Sequence, residues 1–440
     1  MREPPARTTR RNRIVVLLIL LAAALAALKI DHRVWPMELF AQAVAEHFQR
    51  PNIAWKTASP AAEGMSARAL DAMRRELARH GTSALLVVRG GRLVYEWYPL
   101  RIGPNQRHYT AALAKAVIGS MALLAALTEG RLRLDDPAWK YIPRWKNDPV
   151  RSRIRIRDLA FHTSGLADVD FFKGQDDELH GWRAVYYRHP AERFRLTIDR
   201  VPILFTPGTR YRYSGIGYYA LAYAVTESLR GGPDPDIRSL LRDRVMRPLG
   251  IPQRDWQISY ETSYPVDGMT LYAMGSGASL TARAEARIGE LLLDHGRWNG
   301  RTILSPYWVA QLLRGTGVPA DMPGPDHEPH PIPSGGWWLN TDGAWPSLPR
   351  DAIAGEGAGH QTLLVVPSLD LVVVRQGRSL AGHDLGPARY REAEDRWIFR
   401  PVMAAITGSS AQSTGPVTAP HSRRAPPRGL SRDGRTGRVP

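Results

Sequence analysis

The sequence of 440 residues contains no cysteine. Disulfide bonds, thiolate metal sites, a cysteine nucleophile and an N-terminal lipid-modified cysteine are therefore excluded. Lysine is also scarce, because only 6 of the 59 basic residues are Lys and the other 53 are Arg. A lysine at a position that can carry chemistry therefore stands out from its background.

The net charge of +17 does not predict nucleic-acid binding. Residues 1–13 contribute +4 and residues 408–440 contribute +5, which leaves +8 for the rest of the chain. The middle of the chain has neither zinc-finger spacing nor the GxxxxGK[ST] loop that cradles phosphates. We therefore expect neither a nucleic-acid partner nor a cofactor.

The N-terminal sequence has the pattern of an export signal or membrane anchor. Three arginines, Arg10, Arg11 and Arg13, precede the apolar residues 14–28. This run lies between the length of a signal-peptide core and the roughly 20 residues of a membrane span, so cleavage stays open. We favour an uncleaved anchor, with residues 1–13 as a basic cytoplasmic flank and the rest of the chain in the periplasm.

Composition divides the remainder of the chain into three parts. Residues 30–53 are interpreted as a connecting stem. Residues 54–407 show no repeat and no linker composition, which predicts one large domain. Residues 408–440 have few large apolar side chains and many Pro, Gly, Ser and Arg, a composition typical of a disordered tail.

Strand patterns lie at both ends of the large domain. The segment "SALLVVRGGRLVYEWY" predicts a hairpin around Gly90 and Gly91, and "TLLVVPSLDLVVVRQG" predicts a second pair of strands. Helical patterns lie between them, including residues 111–129 and 281–296. This order predicts a mixed α/β sandwich with a mostly helical insertion.

One of the six lysines, Lys115, lies in the apolar helical run 111–129. Thr110 is a candidate N-cap, and Ala112 and Lys115 are three residues apart on one helix face. A neutral lysine amine can accept a proton from a neighbouring hydroxyl, which an arginine cannot do. A serine at position 112 would complete a nucleophilic pair, but the chain has alanine there.

This helix resembles the S-x-x-K helix of serine β-lactamases and penicillin-recognising enzymes. The segments "GRLRLDDPAWKYIPRW", "IRIRDLAFHTSGL", "TPGTRYRYSGIGYYALAYAVTE", "ARIGELLLDHGRWNGRTILSP" and "VVPSLDLVVV" are similar to successive landmarks of the class C β-lactamase-like family. The resemblance covers residues 80–376. It implies an α+β fold, with an antiparallel sheet flanked by helices and a mainly helical subdomain.

The resemblance also implies roles for residues in three motifs. It makes Ala112 the position of the missing nucleophile, Lys115 its base partner and Tyr213, in "RYSG", the second proton-transfer residue. Gly215 then stands where the Tyr-x-Asn motif has an amide that holds a substrate carbonyl.

The third motif, Lys or His followed by any residue and Gly, best matches Gly355-Glu356-Gly357. Its basic group is missing. The amide of Ala358 would be one donor of the oxyanion hole and the amide of residue 112 the other, although this loop also aligns one or two residues away.

Several residues have a structural interpretation beside a catalytic one. Lys115 could be a helix lysine with its amine at the surface, and Tyr213 a packed aromatic residue. His162, in "FHTSGL", is interpreted as a cap of the neighbouring turn. Trp97, Trp337 and Trp338 are interpreted as core or cleft wall.

The segment "PDHEPH" has the residue types of a metal site. His327 and His330 lie beside Asp326 and Glu328, but the flanking prolines argue against a helix that would align them. We therefore expect a solvated loop and no metal.

The alanine at position 112 has three explanations. The serine was replaced to trap a complex, or the natural chain lacks it, or the alignment is wrong and another hydroxyl attacks. Departures at positions 112, 215 and 355 favour a natural loss of catalysis. The sequence therefore predicts a hydrolase-family member impaired in acyl transfer, or a module that binds peptide or cell-wall fragments. Four classes of substrate are open for the hydrolase, namely a β-lactam, a D-alanyl peptide, an ester and an amide.

The predicted anchor has a direct test. A reporter that is active only in the cytoplasm, fused after residue 400, should give no signal in cells, because residues 14–28 would direct the domain across the membrane. The same reporter on a chain that lacks residues 1–28 provides the positive control. A strong signal from the full chain would contradict the topology.

Overall fold

A computed structural model describes residues 51–169, 180–318, 331–382 and 387–407. It contains fourteen described strands and eleven described α-helices. The strands are β1 (Thr82–Arg89), β2 (Arg92–Trp97), β3 (His108–Tyr109), β4 (Trp256–Gln257), β5 (Tyr264–Val266), β6 (Met269–Leu271), β7 (Ser279–Leu280), β8 (Arg297–Trp298), β9 (Arg301–Thr302), β10 (Ile332–Ser334), β11 (Trp337–Leu339), β12 (Ile353–Gly357), β13 (Gln361–Val366) and β14 (Leu371–Gly377).

The main sheet has seven antiparallel strands in the order β10-β11-β12-β13-β14-β1-β2. The hairpin predicted around Gly90 and Gly91 is confirmed, as is the β13–β14 pair. Both glycines have positive φ, which the turn requires and which most side chains disfavour. Strands from the two ends of the domain meet where β14 pairs with β1.

The α-helices lie on both faces of this sheet and in the segment between β3 and β10. They are α1 (Ala67–Arg79), α2 (Met121–Thr128), α3 (Ile156–Ala160), α4 (Gly181–Arg188), α5 (Arg193–Asp199), α6 (Gly215–Ser228), α7 (Ile237–Leu241), α8 (Ala282–Leu293), α9 (Pro306–Leu312), α10 (Pro387–Glu394) and α11 (Arg400–Ala404). The predicted α+β fold, with an antiparallel sheet and a mainly helical part, is confirmed.

Two hydrophobic cores lie on opposite faces of the main sheet. The larger core contains α2, α6 and α8, and the smaller core contains α1 and the C-terminal helices. Neighbouring residues of β12 therefore face different cores, because side chains alternate along a strand. Ile353 belongs to the larger core and Ala354 to the smaller one.

The helix predicted over residues 111–129 is present but has three parts. It starts as a 3₁₀ turn at Ala111–Leu113, widens into a π-turn at Lys115–Ser120 and continues as α2. π-Turns inside helices are frequent at functional sites. Among the described residues, Ala111–Thr128 is also the one helical stretch long and apolar enough to cross a membrane, but 89% of it is buried in the domain, as expected of a core helix.

Several sequence predictions fall outside the described residues. These are the apolar run 14–28, most of the stem 30–53, the tail 408–440 and the segment with His327 and His330. They stay predictions.

Glu285 of α8 is a fully buried carboxyl group away from β12. One carboxylate oxygen, Oε1, accepts a hydrogen bond from Gln376 Nε2 at 2.9 Å, and the other, Oε2, has no partner among the described residues. Burial raises the pKa of Glu285 to about 8. The neutral carboxylic acid is therefore the form that fits this site.

The raised pKa predicts how Glu285→Gln changes stability. Because the folded chain holds this proton more tightly than the unfolded chain, stability falls as the pH rises from about 4.5 toward 8. We expect the melting temperature of Glu285→Gln to lie within about 1 °C of that of the parent at pH 5. At pH 8 it should be at least about 3 °C higher than that of the parent. Equal differences at both pH values, measured by thermal unfolding, would show that Glu285 does not titrate in this way.

Candidate active site

The turn before Lys115 is held against Ala278, the residue that precedes β7. The Thr110 backbone N–H and its hydroxyl Oγ1 both donate to the carbonyl oxygen of Ala278, each at 3.0 Å. Thr110 is the N-cap residue of this helix, as predicted, but its hydroxyl makes no capping hydrogen bond to the helix. Ala111 has a φ of 49°, a conformation that costs free energy for a residue with a Cβ and that occurs often at functional sites.

Lys115 is 4% exposed, and its amine lies among aromatic rings. Nζ donates to the carbonyl oxygen of Gly275 at 2.9 Å, and it lies 4.7 Å from the ring centroid of Tyr213 and 5.5 Å from that of Tyr218. Such contacts stabilise a cation. The structure thus places Lys115 beside Tyr213, as the sequence predicted for this pair. The alternative interpretation, a helix lysine with its amine at the surface, is wrong.

The ring of His162 packs against the ring of Tyr213. The two rings stack with centroids 4.7 Å apart, and Nδ1 of the imidazole accepts a hydrogen bond from the Ser214 backbone N–H at 3.0 Å. Burial, together with the Lys115 cation, lowers the pKa of His162 to about 3. A neutral imidazole that holds the turn after Tyr213 fits the structural interpretation of His162.

Gly215 is the first residue of α6 and has an acidic neighbour. The Asp168 carboxylate accepts hydrogen bonds from the backbone N–H groups of Gly215 at 2.7 Å and Ile216 at 3.4 Å. A Cβ at position 215 would lie 3.6 Å and 3.7 Å from the two carboxylate oxygens. The Asp168 carboxyl group therefore occupies the side of the turn where the Tyr-x-Asn motif has its amide. Burial raises the pKa of this carboxyl group.

The glycines of β12 allow this strand to approach the turn at residues 110–113. A Cβ at Gly357 would overlap the Thr110 carbonyl oxygen and lie 2.8 Å from the backbone nitrogen of Leu113. A Cβ at Gly355 would lie 2.6 Å from Leu113 Cδ1. There is consequently no room for the basic side chain that the third motif usually carries at position 355.

The free edge of β12 borders this turn. Strand β11 pairs with Ile353 and Ala354 only, so the side of residues 355–357 turned away from β13 has no strand partner in the described structure. Ala358 begins the exposed turn after β12. Neither its amide nor that of Ala112 donates to a described loop or side-chain acceptor.

Three of the predicted site residues line one small cavity of about 20 Å³, whereas Gly355, Gly357 and Ala358 are not among its lining residues. Ala112, Lys115, Tyr213 and Glu356 all contribute to its lining. Its other walls are mostly aromatic or come from the β10–β11 hairpin, and they consist of His162, Tyr211, Pro333, Ser334, Gly336, Trp337 and Trp338. Trp337 and Trp338 are thus cleft wall, as predicted, whereas Trp97 packs against the smaller core.

Four contributors to the site were missed from the sequence. Tyr218 and the Gly275 carbonyl contact Lys115 from distant segments, and Asp168 follows the histidine landmark without a motif of its own. Gly336 approaches the Lys115 carbonyl so closely that a Cβ there would lie 2.6 Å away. The Gly335-Gly336 pair in "IPSGGWW" was a signal for this approach.

The fold and the arrangement of these motifs define a β-lactamase/transpeptidase-like protein. Residues 67–393 match the family described as Beta-lactamase. The match covers well over half of the chain, and the chain therefore belongs to the beta-lactamase family of serine hydrolases.

Known relatives agree with this membership at low identity. The 6-aminohexanoate-dimer hydrolase of Paenarthrobacter ureafaciens is 24% identical over 310 residues, which cover 67% of this chain and 72% of that protein. The N-acetylmuramyl-L-alanine amidase of Bacillus subtilis (strain 168) is 25% identical over 220 residues, 45% of this chain and 48% of that protein. This chain therefore spans about half the length of the amidase.

A solved structure supports the fold. A penicillin-binding protein homolog from Caulobacter crescentus superposes with a TM-score of 0.55 at 15% sequence identity, covering 76% of this chain and 98% of that one.

The close approach of β12 predicts a contrast between two glycines. Gly357→Ala should lower the free energy of unfolding by at least about 2 kcal/mol, because the new Cβ meets backbone atoms that cannot rotate away. Gly215→Ala is the matched control, since its Cβ would make ordinary contacts with Asp168. Urea unfolding of both variants measures the difference. Equal stabilities would show that the strand can move back without cost.

Proposed function

We propose that this chain is a β-lactamase-related hydrolase that no longer forms an acyl-enzyme. One observation carries the proposal, namely that Ala112 lines the same cavity as Lys115 and Tyr213. A methyl group has neither a lone pair to attack a carbonyl nor a proton to transfer to Lys115. Loss of the nucleophile from such a constellation removes several orders of magnitude in rate, because its residues act as a unit.

The cleft still supports binding of a small acyl compound or peptide. Its walls are aromatic, the edge of β12 is free, and Lys115 is the one cation among the described residues that line it. An ester or amide without a second charge beside its carbonyl suits this lining better than a ligand with a carboxylate, because Gly355 leaves no room for a cation there.

A binding module is the second candidate. The aromatic walls and the free strand edge favour it, since an extended peptide can pair with such an edge while its side chains contact the walls. Peptide or cell-wall fragments would then be ligands and would not be hydrolysed. The apolar run 14–28 would hold the cleft outside the cytoplasm, where such fragments occur.

Restoring the hydroxyl tests the proposal. Ala112→Ser should be acylated by an activated ester or a fluorescent penicillin at least about 100-fold faster than the parent, because it places a hydroxyl three residues from Lys115. Turnover should stay low, since positions 215 and 355 lack side chains that orient substrate. Intact mass spectrometry measures the label.

The double variant Ala112→Ser/Lys115→Met is the control, because methionine fills the lysine site without a basic amine. It should stay unlabelled. Label on the parent chain would place the nucleophile elsewhere. A folded Ala112→Ser protein without label would favour the binding module.

A further inference from the structure

A layer of polar side chains, most of them buried, lies on the face of the main sheet that carries Ala354 and the smaller core. Glu356 of β12 pairs across the sheet with Thr362 of β13, and Thr362 pairs with Arg375 of β14. The three side chains therefore form a row on one face. Helix α10, one of the two C-terminal helices, packs over this row through Tyr390 and Glu394.

Tyr390 contacts the site strand directly. Its hydroxyl donates to the carbonyl oxygen of Gly357 at 2.7 Å. Its ring is stacked on His360, with centroids 3.8 Å apart and planes at 8°. His360 is neutral, because burial lowers its pKa to about 4, and its Nδ1 accepts from the Leu380 backbone N–H at 3.2 Å.

Glu394 lies one helical turn after Tyr390 and faces Glu356. The Thr362 hydroxyl donates to Glu394 Oε1 at 3.4 Å, and Thr362 is the cross-strand partner of Glu356, so the two carboxyl groups lie close together and interact electrostatically. Glu356 Oε1 and Glu394 Oε2 are buried and receive no hydrogen bond from any N–H or hydroxyl group of the described residues. Two carboxylates in this position would repel each other, so the arrangement requires a proton between them.

The surrounding charges fit one shared proton. Arg375 lies beside the pair and donates to the His360 carbonyl at 2.9 Å and to the Gly359 and Arg378 carbonyls at 2.6 Å. The positive charge of Arg375 favours a negative charge on Glu394, and that of Arg391 favours a negative charge on Glu356. Burial raises the pKa of Glu356 to about 7, and burial together with the neighbouring Glu356 also raises the pKa of Glu394.

We propose that helix α10 positions the 355–358 edge of the cleft through two adjacent contacts, the Tyr390 hydroxyl on the Gly357 carbonyl and a proton shared by Glu394 and Glu356. Tyr390 and Glu394 are then positioning residues, because they touch the strand and not the ligand. Loss of the shared proton at alkaline pH leaves two buried carboxylates, which push α10 away from β12 and loosen the Tyr390 contact. The consequence for acyl transfer rests on the proposed function, but the positioning of β12 does not.

Hydrogen exchange measured by mass spectrometry on the parent chain tests the positioning. After correction for intrinsic exchange rates, protection of residues 353–361 should fall at least about tenfold between pH 6 and pH 9. Glu394→Gln keeps a hydrogen bond to Glu356 and cannot ionise, so its protection should be the same at both pH values. Tyr390→Phe should lose protection at pH 6 already, while its ring still stacks on His360.

Glu285→Gln is the matched control, because it also replaces a buried carboxyl group of raised pKa but does not contact β12. It should show the same loss of protection at residues 353–361 as the parent. Unchanged parent protection from pH 6 to pH 9, or an equal effect of the control and Glu394→Gln, would overturn the proposal. If Glu394→Gln does not fold, the result for Tyr390→Phe tests the proposal instead. Protection of residues 353–361 equal to that of the parent at pH 6 in this variant would then overturn the proposal.

Acylation in the Ala112→Ser background gives the second readout. The labelling rate should decline above neutral pH, and Glu394→Gln should abolish this decline, whereas Glu285→Gln should not. Tyr390→Phe should slow labelling by about 3- to 10-fold, the effect of one hydrogen bond. A missing label in Ala112→Ser would refute acyl transfer alone, because the exchange experiment needs no nucleophile. Labelling that is insensitive to both substitutions would overturn the catalytic consequence.

Discussion

The site depends on a contact between two backbones. Strand β12 reaches the turn at residues 110–113 because Gly357 has no side chain, and the hairpin before β11 reaches Lys115 because Gly336 has none. These approaches fix the position of the buried helix between two segments that are more than 200 residues away in sequence. The cleft is the space that remains between them, so its shape is set by main chain and tolerates changes in the side chains that line it.

This dependence on main chain explains why the proposed loss of a nucleophile at position 112 requires no change in the fold. Lys115 keeps the Gly275 carbonyl as its hydrogen-bond acceptor and two aromatic rings as neighbours, so the buried amine does not need a serine hydroxyl. An orphaned buried cation would be costly. Here the alanine at position 112 does not leave the Lys115 amine without an acceptor, and that amine therefore exerts little structural pressure to retain a hydroxyl.

Local patterns predicted the parts of the structure that are local. The hairpin at Gly90, the strand pair β13–β14 and helix α8 follow from residues close in sequence, and the order of motifs identified the fold and placed Ala112, Lys115 and Tyr213 in one cleft. The π-turn was not visible, because its extra residue per turn depends on contacts with β12. Asp168, Tyr218 and the Glu356–Glu394 pair also escaped, since each acquires its partner only through the tertiary fold.

The scarcity of lysine and the burial of Lys115 together have a practical consequence for chemical probing. An amine-directed reagent has six lysine side chains as targets in the whole chain, and one of them, Lys115, is shielded by Tyr213 and Tyr218 at 4% exposure. Its rate of modification, read as one mass increment on a single peptide, would therefore report how often the aromatic enclosure opens. The residue to which the family resemblance gives the role of base would then serve as an intrinsic reporter of cleft dynamics.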